Sequence, residues 1–363
     1  MEIDQQSLFK GLKVVEFASV LAGPAVGMFF AELGAQVVKI ENKHTGGDVT
    51  RGWKNPLENP AASVSAYFCS VNWGKKHLFL DLTDADDRQT AISLALEADI
   101  VVSNFKPSSA RRMGVDAASL RAQNPKLIYA QLNSFADPED ESPAFDAVLQ
   151  AEAGFLYMNG EQDRPPVKMP VALIDVLAAH QLKEGILMAL LQREKTGNGC
   201  IVTTSLMESA LASLVNQASN FLMNGVVPQR MGTQHPNIAP YGDVYTTTDG
   251  FSILLAVGTE RQFKQLCNVL ELEALLQMPE FQQNAARVKN RLTLNEYIQD
   301  RIRRYALDEL IDLFKRNGVP AAKIRDMKQV FEIPTAQDLI LEEIIENDLN
   351  TKRMKTIVFK MTS

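Results

Sequence analysis

Short apolar runs alternate with stretches of helical period through the first 135 residues. LKVVEF (12–17), QVVKIE (36–41), HLFLDL (77–82), DIVVSNF (99–105) and KLIYAQL (126–132) are rich in Val, Ile, Leu and Phe and read as strands. Between the first two, GPAVGMFFAELGA places Pro24 near a helix start and Gly34 at its end, the usual asymmetry of helix termini. ADDRQTAISLALEA (85–98) is also helical in period. This alternation predicts a mainly parallel sheet covered by helices, a Rossmann-like α/β domain.

The pattern changes after residue 135. ADPEDESPAF (136–145) is a polar loop, and a helix follows from about Val176 to Lys195, with apolar residues on one face and TGNG as its stop. A second long helix is expected over 205–223, then a Pro/Gly-rich connector over 225–242. TTTDGFSILLAV reads as a hairpin turn at Asp249-Gly250 leading into a strand, and 259–318 is largely helical. The expected division is a large domain over 1–224, completed by about 325–363, and a smaller α+β domain over 225–324.

PVKMPVALIDVLAAHQ (166–181) sets Asp175 among Val171, Ala172, Leu173, Ile174, Val176 and Leu177. One reading is a helix N-cap, whose side chain accepts a free backbone N–H. The other is chemical: a carboxylate walled by apolar groups at a helix start is partly desolvated. Burial raises its pKa while the helix dipole lowers it, and such a group can attack an acyl carbonyl.

The formal net charge of -7 over 363 residues argues against a general nucleic-acid or anionic-membrane binder. Against that background Lys106, Arg111 and Arg112 in SNFKPSSARRMG, and Lys75 and Lys76 in NWGKK, stand out. Each cluster follows or opens a strand, which suits phosphate binding at a sheet edge as well as it suits a solvated basic face. The turn FASVLAGPA (17–25) lacks GxGxxG, so Glu41 at the end of the second strand is a weak ribose-binding candidate. Three scattered cysteines and four scattered histidines have no metal-ligand spacing, so no metal is expected. MEIDQQSLFKG has no secretory pattern, and the expected setting is cytoplasmic.

Taken in order, several motifs resemble the class III coenzyme A transferases, the carnitine/bile-acid (CaiB/BaiF) group. They are LKVVEFASVLAGPAVGMFFAELGAQVVKIE, GGDVTRGW (46–53), NWGKKHLFLDL, DIVVSNFKPSSARRMG, FDAVLQAEAG (145–154), MPVALIDVLAAHQ, KTGNGCIVTTSLMESAL (195–211), GTQHPNIAPYGDVYTTTDGF (232–251) and NGVPAAKIRDMKQVF (317–331). The resemblance implies an interlocked homodimer that moves CoA from an acyl-CoA donor to a free carboxylic acid. Asp175 stands at the position of the aspartate that forms first a mixed anhydride and then an aspartyl-CoA thioester. By position, Val20, Leu21 and Ala22 line the CoA pocket, Asn72 and Lys75 flank it, and Asn104, Phe105 and Lys106 meet the CoA. Arg112 meets its phosphates, Met207 lies near the thioester, and Asp146 and Gln150 sit close to Asp175.

The chain departs from the family pattern at Ser19 and Asn42, where some members carry His and a basic residue, and in HPNIAPYG, which replaces a four-glycine loop. It ends at KTIVFKMTS, where relatives continue with a segment that packs back on the first domain. Racemases of the same fold use a His–Asp pair; here Phe145 takes the histidine position, and a phenyl ring exchanges no proton. The region 225–330 looks closest to the dicarboxylate-using branch, with succinyl-CoA as donor. An acidic acceptor calls for a cation near Asp175, for which Arg51 and Arg230 are candidates. The rival readings are an acyl-CoA racemase or isomerase with an unrecognised base, and a non-catalytic CoA-binding homologue.

Overall fold

The computed structural model describes residue 4 and residues 7–137, 139–140, 142–345 and 349–362. Pro138 and Glu141, within the expected loop 136–145, and Ser363 lie outside the described residues. The chain divides into two compact units, one formed by Met1–Gly154, Lys168–Ala218 and Asp338–Ser363, the other by Phe155–Val167 and Ser219–Gln337.

In the first unit, six strands form one parallel sheet: β1 (Lys13–Phe17), β2 (Gln36–Asn42), β3 (Lys75–Leu80), β4 (Ile100–Ser103), β5 (Ile128–Asn133) and β6 (Ile201–Ser205), in the order β3-β2-β1-β4-β5-β6. That order reverses between β1 and β4. In open α/β sheets ligands bind at such a reversal, outside the carboxyl ends of the strands. Val15, Phe17, Ile40, Leu80, Val101 and Tyr129 build a core on the sheet. The central runs form strands β1, β4 and β5 buried on both faces, as the interior of a parallel sheet requires, while the edge strands β3 and β6 are partly exposed.

Two charged residues interrupt those runs, and the sheet register explains them. Glu16 of β1 lies beside Lys39 of β2. Glu16 Oε1 accepts from Lys39 Nζ at 2.8 Å and its Oε2 accepts from Lys75 Nζ at 2.7 Å, all three side chains being sealed from solvent. Burial pushes the Glu16 pKa up, but the two ammonium groups outweigh it and hold it below the ordinary value. Gly27 of the helix Ala22–Glu32 makes room for this cluster: a Cβ there would lie 2.0 Å from Glu16 Oε2.

The last part of the first unit is a hairpin, β10 (Ile340–Ile345) and β11 (Leu349–Met354). It returns to the helix Ala22–Glu32, where the buried Glu32 takes Arg353 as an ion partner and accepts the N–H of Ile357 at 3.0 Å. Residues 340–345 and 349–357 thus pack back on the first unit themselves.

The second unit carries an antiparallel sheet of β7 (Tyr241–Thr246), β8 (Ser252–Ala256) and β9 (Ala321–Lys323). The turn expected at Asp249-Gly250 joins β7 to β8, with Gly250 at φ 80°. Phe263, Leu266, Ile298, Leu310 and Phe314 form its core. The single helix expected over 205–223 is two, Leu206–Ala212 and Val215–Asn224, because Val215 takes a left-handed φ of 40° that no continuous helix tolerates. Among the described residues no helix is long and apolar enough to cross a membrane.

Candidate active site

The helix that carries Asp175 runs from Leu173 to Thr196, starting three residues before the expected Val176. Asp175 is therefore its third residue and not its cap. Ala172 occupies the cap position and supplies no side-chain acceptor. A helix start leaves backbone donors in need of partners, and a neighbouring element supplies one. Asp146, first residue of the helix Asp146–Glu152, accepts the N–H of Ile174 on Oδ2 at 2.7 Å. Its Oδ1 accepts from Gln150 Nε2 at 2.6 Å, and Gln150 Oε1 accepts the N–H of Met169 at 2.8 Å.

This relay leaves the Asp175 carboxylate unused: no described donor hydrogen-bonds it, and the residue is only 7% exposed. Burial, with the Asp146 charge adding to it, raises its pKa to about 7. Desolvation thus outweighs the helix dipole. A carboxylate of that basicity is ionised in substantial part near neutrality and is more nucleophilic than an exposed aspartate.

Facing it is the turn after β1. Val20 sits there with φ 73°, a region that a β-branched residue adopts only under constraint. The constraint is visible. Val20 N–H donates to both Asp48 carboxylate oxygens, at 3.3 and 3.2 Å. Asp48 is held in turn by Lys39 at 3.0 Å and by the N–H of Thr50 at 3.0 Å. Ser19 is clamped by Asn104 from the end of β4: its N–H donates to Asn104 Oδ1 at 3.2 Å, and its carbonyl accepts from Asn104 Nδ2 at 2.9 Å. The turn is thereby fixed at the sheet's point of reversal.

Three clefts meet around these groups. The first, about 260 Å³, is walled by Val20, Leu21, Ala22, Phe105, Lys106 and Asp175. The second shares Ser19, Asn104, Phe105 and Lys106 with it and runs on past Asn42, Leu82 and Met113. Together they make a continuous groove that starts at Asp175 and passes Lys106. The third shares Val20, Leu21, Phe145 and Asp175 with the first, and adds Trp53, Tyr67 and Lys168. Trp53 and Tyr67 meet edge to face with ring centroids 5.1 Å apart. Burial, then the nearby Asp175 and Asp146 charges, raise the Tyr67 phenol to about 12, so it remains protonated and able to donate.

Of the residues expected at the site, Val20, Leu21, Ala22, Asn104, Phe105 and Lys106 share the first cleft with Asp175, and Ser19 and Asn42 line the groove beyond it. Asn72 and Lys75 lie in the interior and line none of the three clefts. Lys75 Nζ donates to Glu16, to the Pro24 carbonyl at 2.8 Å and to Asn72 Oδ1 at 3.0 Å, so both residues serve the buried charge cluster beneath the turn. Arg112 is exposed on the helix Pro107–Met113, 3.4 Å from the hydroxyl of Ser109, which lines the groove. Met207 follows Leu206, which lines the first cleft.

The cations considered for an acidic acceptor are placed differently. Arg51 is buried against Glu41 through two bonds of 2.7 Å and stacks on Phe68, and Glu41 is thereby engaged in structure rather than poised for a ribose. Arg230 belongs to the second unit, where it donates to the Tyr157 carbonyl at 3.1 Å. Reading the sequence did not single out Asp48, Trp53, Tyr67 or Lys168. Asp48 and Trp53 fall in the quoted GGDVTRGW motif, and Lys168 is the lone charge just before the Asp175 run; Tyr67 carried no signal.

The sequence profile of CoA-transferase family III matches residues 9–363. A succinate–glutarate CoA-transferase of Agrobacterium fabrum is 35% identical over 332 residues, covering 90% of this chain and 82% of its own. A succinyl-CoA:mesaconate CoA-transferase of Haloarcula hispanica is 33% identical over 336 residues, covering 90% of this chain and 83% of its own. The crystal structure of a CAIB/BAIF family protein from Brucella suis matches with a TM-score of 0.83 at 34% identity, covering 97% of this chain and 92% of that one. The chain therefore belongs to CoA-transferase family III, and it is an enzyme that moves CoA between an acyl-CoA and a carboxylic acid.

Proposed function

We propose that the enzyme moves CoA from a dicarboxylyl-CoA, succinyl-CoA being the first choice, to a second dicarboxylic acid, with Asp175 as covalent carrier. The observation that carries this reading is the placement of one unpaired, largely desolvated carboxylate where a long groove and a separate cleft meet. The groove suits the CoA arm, with Val20, Leu21, Ala22, Asn104, Phe105 and Lys106 along it. Arg112, and a route past Asn42, suit the nucleotide end. The substrate class follows the relatives, which act on succinate, glutarate and mesaconate by name.

The chemistry balances without a proton donor. Asp175 attacks the thioester carbonyl; an O–C bond forms, the C–S bond breaks, and CoA thiolate leaves a mixed anhydride. The thiolate then attacks the Asp175 carbonyl, releasing the donor acid and leaving an aspartyl-CoA thioester. The acceptor carboxylate attacks that thioester and expels the thiolate. Thiolate attack on the acceptor's acyl carbon gives the new acyl-CoA and returns Asp175. Each step exchanges one acyl bond for another, so the need is for exclusion of water and for donors to the oxyanion. Phe145, at the mouth shared by two clefts, offers no proton exchange, which disfavours a racemase.

We propose in addition that two copies form an interlocked homodimer; the exposed Leu222, Met223, Val226 and Val227 support burial against a second copy. The function is tested by incubating the enzyme with a panel of acyl-CoAs and free acids and analysing products by mass spectrometry. A CoA or acyl adduct on the peptide containing residue 175 supports the carrier role. Transfer without such an adduct, surviving Asp175→Asn, overturns it. Deuterium entering the α-carbon without CoA transfer favours the racemase.

A further inference from the structure

The cleft of Trp53 and Tyr67 opens on Asp175 alongside the groove, sharing Val20, Leu21 and Phe145 with it. An acyl group carried on Asp175 can lie there while the thiol arm keeps to the groove. The charged residues lining this cleft are Asp146, Asp175 and Lys168. Asp146 is committed to the Ile174 N–H and to Gln150, and its negative charge repels any second carboxylate. Among the described residues Lys168 is the one cation on the wall. It is exposed, and its ammonium makes a single contact, 3.3 Å to the carbonyl of the adjacent Met169. Compare Arg51, consumed by Glu41, and Lys75, consumed by Glu16. The backbone beside Lys168 is fixed as well, since the Met169 N–H donates to Gln150. The relay from Ile174 through Asp146 and Gln150 to Met169 therefore positions the helix of Asp175 and the irregular segment of Lys168 together.

We infer that Lys168 binds the distal carboxylate of a dicarboxylic acyl group whose other carboxyl carbon is bonded to Asp175, with the Trp53 and Tyr67 rings packing on the carbons between. This rests on the dicarboxylate reading above and assigns the residue that enforces it. Because donor and acceptor each occupy Asp175 in turn, the same lysine reads both. Water competes well for an exposed ammonium, so the preference comes from the packing of the carbons on the aromatic rings and from the penalty of placing an unpaired carboxylate beside Asp146.

The test compares glutarate with pentanoate, acids of equal carbon count that differ in the distal carboxylate, using succinyl-CoA as common donor for both. In Lys168→Met the ratio of kcat/KM for glutarate over pentanoate falls about tenfold or more, the size expected for a lost charge-assisted bond. Lys168→Arg, which keeps the charge, retains most of the ratio. A ratio that stays at the wild-type value in Lys168→Met, or that collapses equally in Lys168→Arg, overturns the inference. Wild-type enzyme that transfers CoA to neither acid, or prefers pentanoate, overturns the dicarboxylate reading itself and takes the inference with it.

Discussion

Asp146 accepts the backbone N–H of Ile174 at 2.7 Å, one residue before Asp175, whose carboxylate its charge repels. One side chain thus caps the helix from outside and raises the basicity of Asp175. The two roles separate by substitution. Asp146→Asn keeps an acceptor for Ile174 but removes the charge, so the acid limb of the pH–rate profile moves to lower pH, by up to about one unit. Asp146→Ala orphans a buried donor and lowers unfolding stability by about 1–2 kcal/mol. A pH–rate profile and a denaturant titration on each variant check both statements.

Transfer in the wild-type enzyme should fall as pH drops below about 7, where Asp175 takes up a proton. An acid limb in the ordinary carboxylate range, near pH 4, contradicts the desolvated nucleophile.

Asp175→Asn should abolish transfer by several powers of ten while CoA still binds. It should also stabilise the fold, and the sign follows from linkage. The pKa is higher folded than unfolded, so the folded state holds the proton longer. As pH rises from about 4 to about 7 the unfolded chain ionises first, and the wild-type protein loses stability relative to Asn. Above about 7 the deficit is constant, with an upper bound of about 4 kcal/mol before relaxation; below about 4 it vanishes. Thermal melts of both proteins at pH 4 and pH 8 measure it.

Lys75→Met tests the structural assignment of a residue first expected at the CoA. It leaves the sealed Glu16 with one ammonium partner instead of two, and stability should fall by about 3–5 kcal/mol. A variant that melts like wild type but binds CoA weakly returns Lys75 to the binding site.

Arg112→Ala, on the exposed edge of the groove, should weaken CoA binding by about 1.5–3 kcal/mol, with less salt dependence left than in the wild type. Calorimetry at two ionic strengths decides it, and an unchanged dissociation constant removes Arg112 from the site.

The sequence by itself determined the parallel sheet, because strands buried on both faces need near-continuous apolar runs, and such runs survive in one dimension. It made Asp175 a candidate, because a lone acid in an apolar stretch is a local signal, whereas residues 20–22 were implied only by the family resemblance of the motif that contains them. Tertiary structure alone decided which charges are spent. Lys75, Arg51 and Lys168 look equivalent along the chain. Only the β3-β2-β1 order of the sheet, the fold of residues 41–51 and the Gln150 contact consign the first two to buried carboxylates and leave the third on the wall beside Asp175. A charge's role depends on what lies within a few ångströms of it, and for these residues those neighbours are as many as 59 positions away.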